Sequence, residues 1–157
     1  PVRIEGTAEF PQSGLYDAPV KSDIRFTYAN GVVMKSIQTL DESQWGMRFV
    51  GTEGEIKVEA NSLESTIEGL ADIELKETDV RLYASDDHHD DFLTRAANGE
   101  TTTAAPVEIA HSSAAVCHVG MIACLRNKPL DWDPKAERFT NDEEANAFLS
   151  RPQREPW

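Results

Sequence analysis

The first half of the chain alternates between apolar and polar residues, which is the period expected of half-buried β-strands. Between residues 2 and 10, apolar or small residues occupy the even positions, and charged residues or threonine occupy the odd ones. A second alternating run leads to Asn30-Gly31, a pair that tolerates positive φ at both positions and favours a two-residue hairpin turn. The pattern predicts strands on both sides of that turn, with the return strand over residues 32–40.

Further strand signals follow at residues 47–50 and 55–60, on either side of Thr52-Glu53-Gly54. Weaker signals occur at residues 72–75 and 80–83. Because tight turns join these segments, the pattern favours a largely antiparallel sheet over alternating strand-helix-strand units.

The second half of the chain has helical patterns. Asp86 or Asp87 can cap a first helix, for which Asn98-Gly99 supplies the end. Pro106 suits the first turn of a second helix, which carries no Asp, Glu, Lys or Arg between residues 109 and 125. A helix that is apolar on most of its circumference is usually buried, and we predict that it packs against the sheet.

A last short helix completes the predicted fold. Thr140 and Glu143 form a candidate capping box for a helix that ends at Leu149 and buries Ala145, Phe148 and Leu149. The predicted fold class is therefore α+β, with an open, mainly antiparallel sheet of about six strands and helices packed on one face. A chain of 157 residues suits one domain with a real core.

Charge and cysteine content narrow the partners and the compartment. The 15 basic and 28 acidic residues give a net charge of −13, which disfavours nucleic acids and anionic membranes as partners. Cys117 and Cys124 are seven residues apart on one predicted helix, about 10 Å and beyond disulfide reach. We expect both to be small buried hydrophobic residues. This fits a reducing compartment and favours the cytoplasm over export, while the location stays unknown.

Two histidine-containing clusters could suggest a metal site. Residues 86–91 read Asp-Asp-His-His-Asp-Asp, but consecutive residues on a helix diverge, and acidic residues at a helix start already offset its dipole. Glu108 and His111 share a helical face, but a carboxylate-bridged metal centre needs a second such pair, which the sequence lacks. We therefore predict no metal centre.

His111, Trp45 and Arg48 are the candidate substrate-binding residues. His111 lies near the start of its helix, where unpaired N–H groups favour sugar oxygens or a carboxylate. Trp45 and Arg48 begin a strand and could face a ligand or a partner subunit. His118, in the middle of the helix, is predicted to support the core. Two further tryptophans are predicted to be structural, Trp132 as a plug at a turn and Trp157 as a terminal clasp.

The sequence offers no dinucleotide site and no identified catalytic residue. Its Asn30-Gly31 and Gly51-Thr52-Glu53-Gly54 segments are hairpin turns, and neither opens a helix as a phosphate-binding loop must. A nucleophile elbow of the Gly-x-Ser-x-Gly type is absent. A carboxylate pair for glycoside hydrolysis stays open, because 28 acidic residues supply too many candidates.

Short segments in order along nearly the whole chain carry a family resemblance. They are Tyr28-Ala29-Asn30-Gly31-Val32, Gly51-Thr52-Glu53-Gly54-Glu55-Ile56, His89-Asp90-Asp91-Phe92-Leu93, His111-Ser112-Ser113, Leu130-Asp131-Trp132-Asp133-Pro134, Asp142-Glu143-Glu144-Ala145-Asn146 and Arg154-Glu155-Pro156-Trp157. Together they resemble the C-terminal part of the Gfo/Idh/MocA family, nicotinamide-dependent oxidoreductases of sugars and polyols.

The resemblance implies a parent enzyme that binds NAD or NADP through an N-terminal Rossmann domain absent from residues 1–157. In the family, a Lys and an Asp/His pair upstream of this region assist hydride transfer, and no position here matches them. The chain, which begins at Pro1, is then expected to be a single C-terminal domain of a longer protein, inactive alone. It would contact the sugar or polyol and form a homo-oligomer through its sheet face. The alternatives are a non-enzymatic sugar-binding or scaffold module and a NAD-dependent glycoside hydrolase.

Overall fold

A computed structural model of the chain describes residues 1–41, 45–59 and 61–156. In that part the strands form a five-stranded sheet of order β3-β2-β1-β7-β8 and a three-stranded sheet of order β4-β5-β6, both antiparallel. The strands are β1 (Arg3–Glu9), β2 (Lys21–Thr27), β3 (Val33–Gln38), β4 (Met47–Val50), β5 (Glu55–Glu59), β6 (Ser62–Ser65), β7 (Leu130–Asp133) and β8 (Arg138–Phe139). The α-helices are α1 (His88–Ala97), α2 (Val107–Arg126) and α3 (Glu143–Asn146).

The predicted α+β fold class is confirmed, and both predicted hairpins form, but the first turn has three residues between Tyr28 and Val32 instead of the predicted two, and Asn30 does not have a positive φ. At the first, Tyr28 N donates to Val32 O at 2.9 Å, and Gly31 has a φ of +85°. At the second, Gly51 N donates to Gly54 O at 2.9 Å. The strands form two sheets: β3 is an edge strand of the larger sheet, and β4 is an edge strand of the smaller one. The predicted strand over residues 55–60 ends at Glu59, and Ala60 lies outside the described residues.

The two weaker strand predictions are wrong. Leu70–Asp72 forms a 3-10 helix, and residues 73–87 contain neither helix nor strand. Val80 and Leu82 are both 90% exposed, so their apolar side chains are not covered. Strand formation depends on cross-strand partners, and apolar alternation does not supply them.

The core lies between α2 and the five-stranded sheet. Its buried members are Ile4, Phe26, Val119, Ile122, Ala123, Leu130, Trp132, Phe139 and Ala145. Close approach depends on two glycines: a Cβ at Gly120 would lie 2.7 Å from the Phe26 ring, and one at Gly6 would lie 2.8 Å from Cys124 Sγ. Helix and sheet thus meet where neither surface has room for a larger side chain.

Burial of α2 against the sheet is confirmed for its C-terminal half and wrong for its N-terminal half. Residues 119, 120 and 122–124 are buried, whereas Val107 is 74% and Ile109 60% exposed. By length and composition α2 is apolar enough to cross a membrane, a property that the core helices of many other proteins share. The contacts of its C-terminal half with β1 and β2 place that half in a protein core.

The two cysteines follow the same division. They lie on one stripe of α2, since seven residues are close to two turns. Cys124 is buried as predicted, and Cys117 is exposed, contrary to prediction, because the sheet does not cover its half of the helix. Both are free thiols.

The last helix begins at a different cap from the one predicted. Asp142 is its N-cap, and the Asp142 Oδ1 atom accepts from Ala145 N at 3.1 Å. Thr140 instead extends the pairing next to β8, where its N–H donates to Asp131 O at 2.9 Å. Ala145 is buried as predicted, but Phe148 is 53% exposed and Leu149 also remains exposed, because a 3-10 turn over Ala147–Leu149 directs this segment off the core.

Candidate functional site

A cavity of about 310 Å³ lies beside the N-terminal half of α2. The hairpin after β2 and the turn between β7 and β8 form its other walls. Its lining combines buried apolar side chains with exposed polar ones, and comprises Pro1, Tyr28, His111, Ser112, Ser113, Ala115, Val116, Val119, Trp132, Pro134 and Glu137. A mainly apolar recess with a few convergent polar groups is the usual form of a small-molecule site.

His111 and Glu137 form the polar pair of this cavity. His111 Nε2 lies 2.6 Å from Glu137 Oε1. A carboxylate accepts hydrogen bonds but does not donate them, so Nε2 must carry the proton. The second ring nitrogen, Nδ1, is then left to meet a ligand. The side chains of His111 and Glu137 are 61% and 55% exposed, so a ligand can reach both.

The turn after β7 places Glu137 opposite the helix. Asp133 Oδ1 accepts from Lys135 N at 2.8 Å and from Ala136 N at 3.0 Å. These two backbone hydrogen bonds lower the pKa of Asp133, and the bond from Ala136 N has the larger effect. Pro134, whose φ is fixed, follows directly and directs the chain into the turn. The sequence analysis identified Trp132-Asp133-Pro134 but missed Glu137, because no short-range spacing links residues 111 and 137.

Tyr28 and Trp132 provide the aromatic surfaces. Trp132 is 8% exposed and meets Phe139 edge-on, with ring centroids 4.9 Å apart. Its predicted structural role is confirmed by this burial, and it borders the cavity as well. Tyr28 is partly buried, and its hydroxyl makes no hydrogen bond within residues 1–41, 45–59 and 61–156. That hydroxyl is therefore available to a ligand.

The structure does not bring Trp45 and Arg48 to the cavity of His111. Trp45 Nε1 donates to Thr39 O at 3.4 Å, and Arg48 Nη1 lies 3.4 Å from Glu55 Oε2 next to the three-stranded sheet. A second cavity, at the β4–β5 hairpin, is lined by neither of them. Their role in binding stays a prediction.

The predicted core role of His118 is wrong, because His118 is exposed. Val119 is the buried residue at this level of α2. One residue along a helix turns the side chain by about 100°, which places His118 beyond the edge of the sheet-facing stripe.

The cluster at the start of α1 acts as the predicted cap. Asp87 Oδ1 accepts from His89 N at 2.9 Å and from Asp90 N at 3.1 Å, and these bonds lower the pKa of Asp87. Ligand-type atoms of Asp87, His88 and His89 lie within 4.8 Å of one another, and all three residues are exposed. The capping bonds account for this arrangement without an ion.

A second electrostatic cluster lies at the far end of α2. Asp142 Oδ2 is 2.8 Å from Lys128 Nζ and 3.1 Å from Arg126 Nε. Lys128, together with Ala145 N and Arg126, holds the pKa of this buried carboxylate well below its ordinary value. The cluster joins the end of α2 to α3. It lies 15 residues from His111, about 22 Å along the helix, and does not take part in the cavity.

Comparison with known proteins gives one family match. The family model described as "Oxidoreductase family, C-terminal alpha/beta domain", of the Gfo/Idh/MocA type, matches residues 1–157. No curated protein and no solved structure matches the chain.

Proposed function

The chain belongs to the Gfo/Idh/MocA oxidoreductase family as its C-terminal α/β domain, and we propose that it serves an NAD(P)-dependent oxidoreductase of a sugar or polyol. Its part is to contact the substrate and to associate subunits. The observation that carries the proposal is the cavity in which His111 and Glu137 face buried Val119 and Trp132. A sugar needs both kinds of wall, because its hydroxyls form hydrogen bonds and its C–H face packs on apolar surface.

The substrate contacts are assigned to three side chains. His111 would bind a substrate hydroxyl through Nδ1, since Nε2 is engaged by Glu137. Trp45, 55% exposed, and Arg48 would act from the three-stranded sheet, toward the ligand or toward a partner subunit.

A dinucleotide would be bound elsewhere in the parent enzyme. The two longest α-helices in the described part of the chain begin with acidic residues: Asp90 and Asp91 lie in the first turn of α1, and Glu108 lies in that of α2. A carboxylate in the first turn opposes the binding of a second anion. Calorimetric titration of the chain with NAD and NADP should therefore detect no binding, and a micromolar site for either would contradict this assignment.

Subunit association would use the outer face of the five-stranded sheet, opposite α2. Opposite charges are neighbours there: Glu5 pairs with Arg25 across β1 and β2, and Asp23 and Lys21 extend the pattern. A face that alternates in charge can meet its own copy across a two-fold axis, as in isologous dimers. Thr27 belongs to the same face, while Lys57 and Glu59 would extend the contact from the three-stranded sheet.

Light scattering over a series reaching high micromolar concentration tests the association. The proposal expects a dimer whose mass falls to that of a monomer on replacing Arg25 with Glu. A monomer throughout the series would overturn the association without touching the proposed substrate contacts.

The activity itself is tested on the full-length parent. With sugars and polyols as substrates, the enzyme should reduce NAD or NADP, and His111→Ala should raise KM or lower turnover with little change in melting temperature. NAD-dependent cleavage of aryl glycosides would instead identify a glycoside hydrolase. Sugar binding without dinucleotide turnover would identify a non-enzymatic module.

A further inference from the structure

Helix α1 presents its apolar stripe to solvent. Phe92 is 60% and Leu93 65% exposed, and the exposed Ala96 and Ala97 complete the stripe, since residues three and four apart share a helical face. The helix has no buried residue, and it has no extensive packing contact with either sheet or with α2 in the part of the chain that the structure describes. An amphipathic helix normally turns its apolar side inward, so α1 is oriented the opposite way.

Polar contacts hold α1 in this orientation. On the side of the helix opposite to the apolar stripe, the carboxylate of Asp91 accepts from the Tyr83 hydroxyl and from Ala104 N, the latter at 3.0 Å. The Asp91 side chain is only 10% exposed, and the guanidinium of Arg95 lies 3.5 Å from it and also pairs with Glu100. The segments before and after α1 are therefore bonded to its polar side, which leaves the apolar side outward.

The segment before α1 adds to the exposed apolar surface. Val80 and Leu82 are both 90% exposed, whereas the hydroxyl of the adjacent Tyr83 is bonded to α1. That bond keeps the segment beside the helix. Single exposed apolar side chains are ordinary, but several large ones on one small structural unit are typical of an interaction surface.

The surroundings of the apolar stripe are acidic. Residues 72–100 contain nine acidic and three basic residues, and one of the basic residues, Arg95, is already paired with Asp91 and Glu100. A second copy of the chain, with its net charge of −13, would be repelled, as would a nucleic acid or an anionic membrane. The complementary partner is an apolar groove of a protein with Lys or Arg at its rim.

We propose that α1 docks into such a groove on the cofactor-binding domain of the parent enzyme, with Phe92 and Leu93 as its anchors. This is helix-in-groove binding, in which apolar side chains on one face of a helix make the contact. The family match supports this occupant, because a C-terminal domain implies a further domain in the same chain. The inference rests on the proposed function for the existence of that domain, and goes beyond it by assigning a surface to the contact between the two.

Amide hydrogen exchange of α1, measured in the full-length parent and in the isolated chain, tests the docking. In the isolated chain the helix has no buried residue, so residues 88–97 should open and exchange readily. In the parent the same amides should exchange at least about tenfold more slowly, because opening then requires the loss of the docked contact.

Two double variants of the parent separate the anchors from exposed apolar residues in general. Phe92→Gln with Leu93→Gln removes both anchors and should return the exchange of α1 to the rate of the isolated chain. Leu15→Gln with Tyr16→Gln is the matched control, since these neighbours are 101% and 86% exposed and lie outside α1, and it should leave the exchange of α1 unchanged. In the isolated chain both double variants should keep the original melting temperature, because none of the four side chains is buried there.

Equal exchange of α1 in the parent and in the isolated chain would overturn the docking, whatever activity the parent has. Protection of α1 that appears in the isolated chain as its concentration rises would identify a second copy as the occupant, and would also overturn it. The assay of the parent with sugars, polyols and dinucleotides decides the proposed function separately, because its outcome does not depend on the exchange of α1.

Discussion

The two halves of α2 have similar apolar content and opposite surroundings. In the C-terminal half, Val119 and Ala123 belong to the same buried cluster as Phe26, which is 2% exposed. In the N-terminal half, Val107 and Ile109 are exposed, and His111 faces the cavity. The C-terminal end of the helix therefore stabilises the fold by packing in the core, while the N-terminal end is free to contact a ligand or another part of an enzyme.

The largest expected effect comes from truncating the packed half. Phe26→Ala should lower the free energy of unfolding by about 3–5 kcal/mol, because it removes a large side chain and leaves a cavity. Ile109→Ala, in the exposed half, should change it by no more than about 0.5 kcal/mol. Urea denaturation of the two variants measures the difference. Similar midpoint shifts for both would contradict the claim that only the C-terminal half of α2 is packed in the core.

A smaller effect is expected where helix and sheet are closest. A Cβ at Gly120 would already lie 2.7 Å from the Phe26 ring. Gly120→Val should therefore destabilise the chain by about 1–3 kcal/mol through overpacking. Ser113→Val is the control, since Ser113 is exposed and lies on the other half of the same helix. If thermal unfolding shows Gly120→Val to be neutral, the close approach does not exist.

The Asp142 cluster should make the packed end sensitive to acid. Its pKa is lowered in the folded state by Lys128 and Arg126. A lowered folded pKa contributes stability that is complete above the unfolded value, near 3.9, and is lost as pH falls through the folded one. Urea midpoints measured between pH 6 and pH 2 should therefore fall more steeply for the original chain than for Asp142→Asn. Parallel curves would contradict a depressed pKa.

The smallest effect is expected from an exposed apolar residue of the N-terminal half of α2. Ile109→Ser should leave the unfolding free energy within about 0.5 kcal/mol of its original value. In the full-length parent the same change should matter more if this half meets the cofactor domain there. Melting temperatures of the chain and the parent, each with and without the change, give the comparison.

Local patterns predicted much of the fold and less of the site. The hairpin at Asn30-Gly31 and the helix cap at Asp87 could be predicted from the sequence, because a turn and a cap depend mainly on the residues that form them. The exposure of His118 and Cys117 could not be predicted, since it depends on where along α2 the sheet ends. His111 was found by its place near a helix start, whereas Glu137 was missed because its partner lies 26 residues away and comes near through the β7–β8 turn.

Amide hydrogen exchange along α2 tests the central difference most directly. Exchange reports local opening, and residues with few buried contacts open more readily than the core. Amides of residues 119–126 should exchange with protection close to that of global unfolding, and those of residues 111–115 should exchange orders of magnitude faster. Uniform protection along the whole helix would contradict the account, because both halves would then belong to one equally packed core.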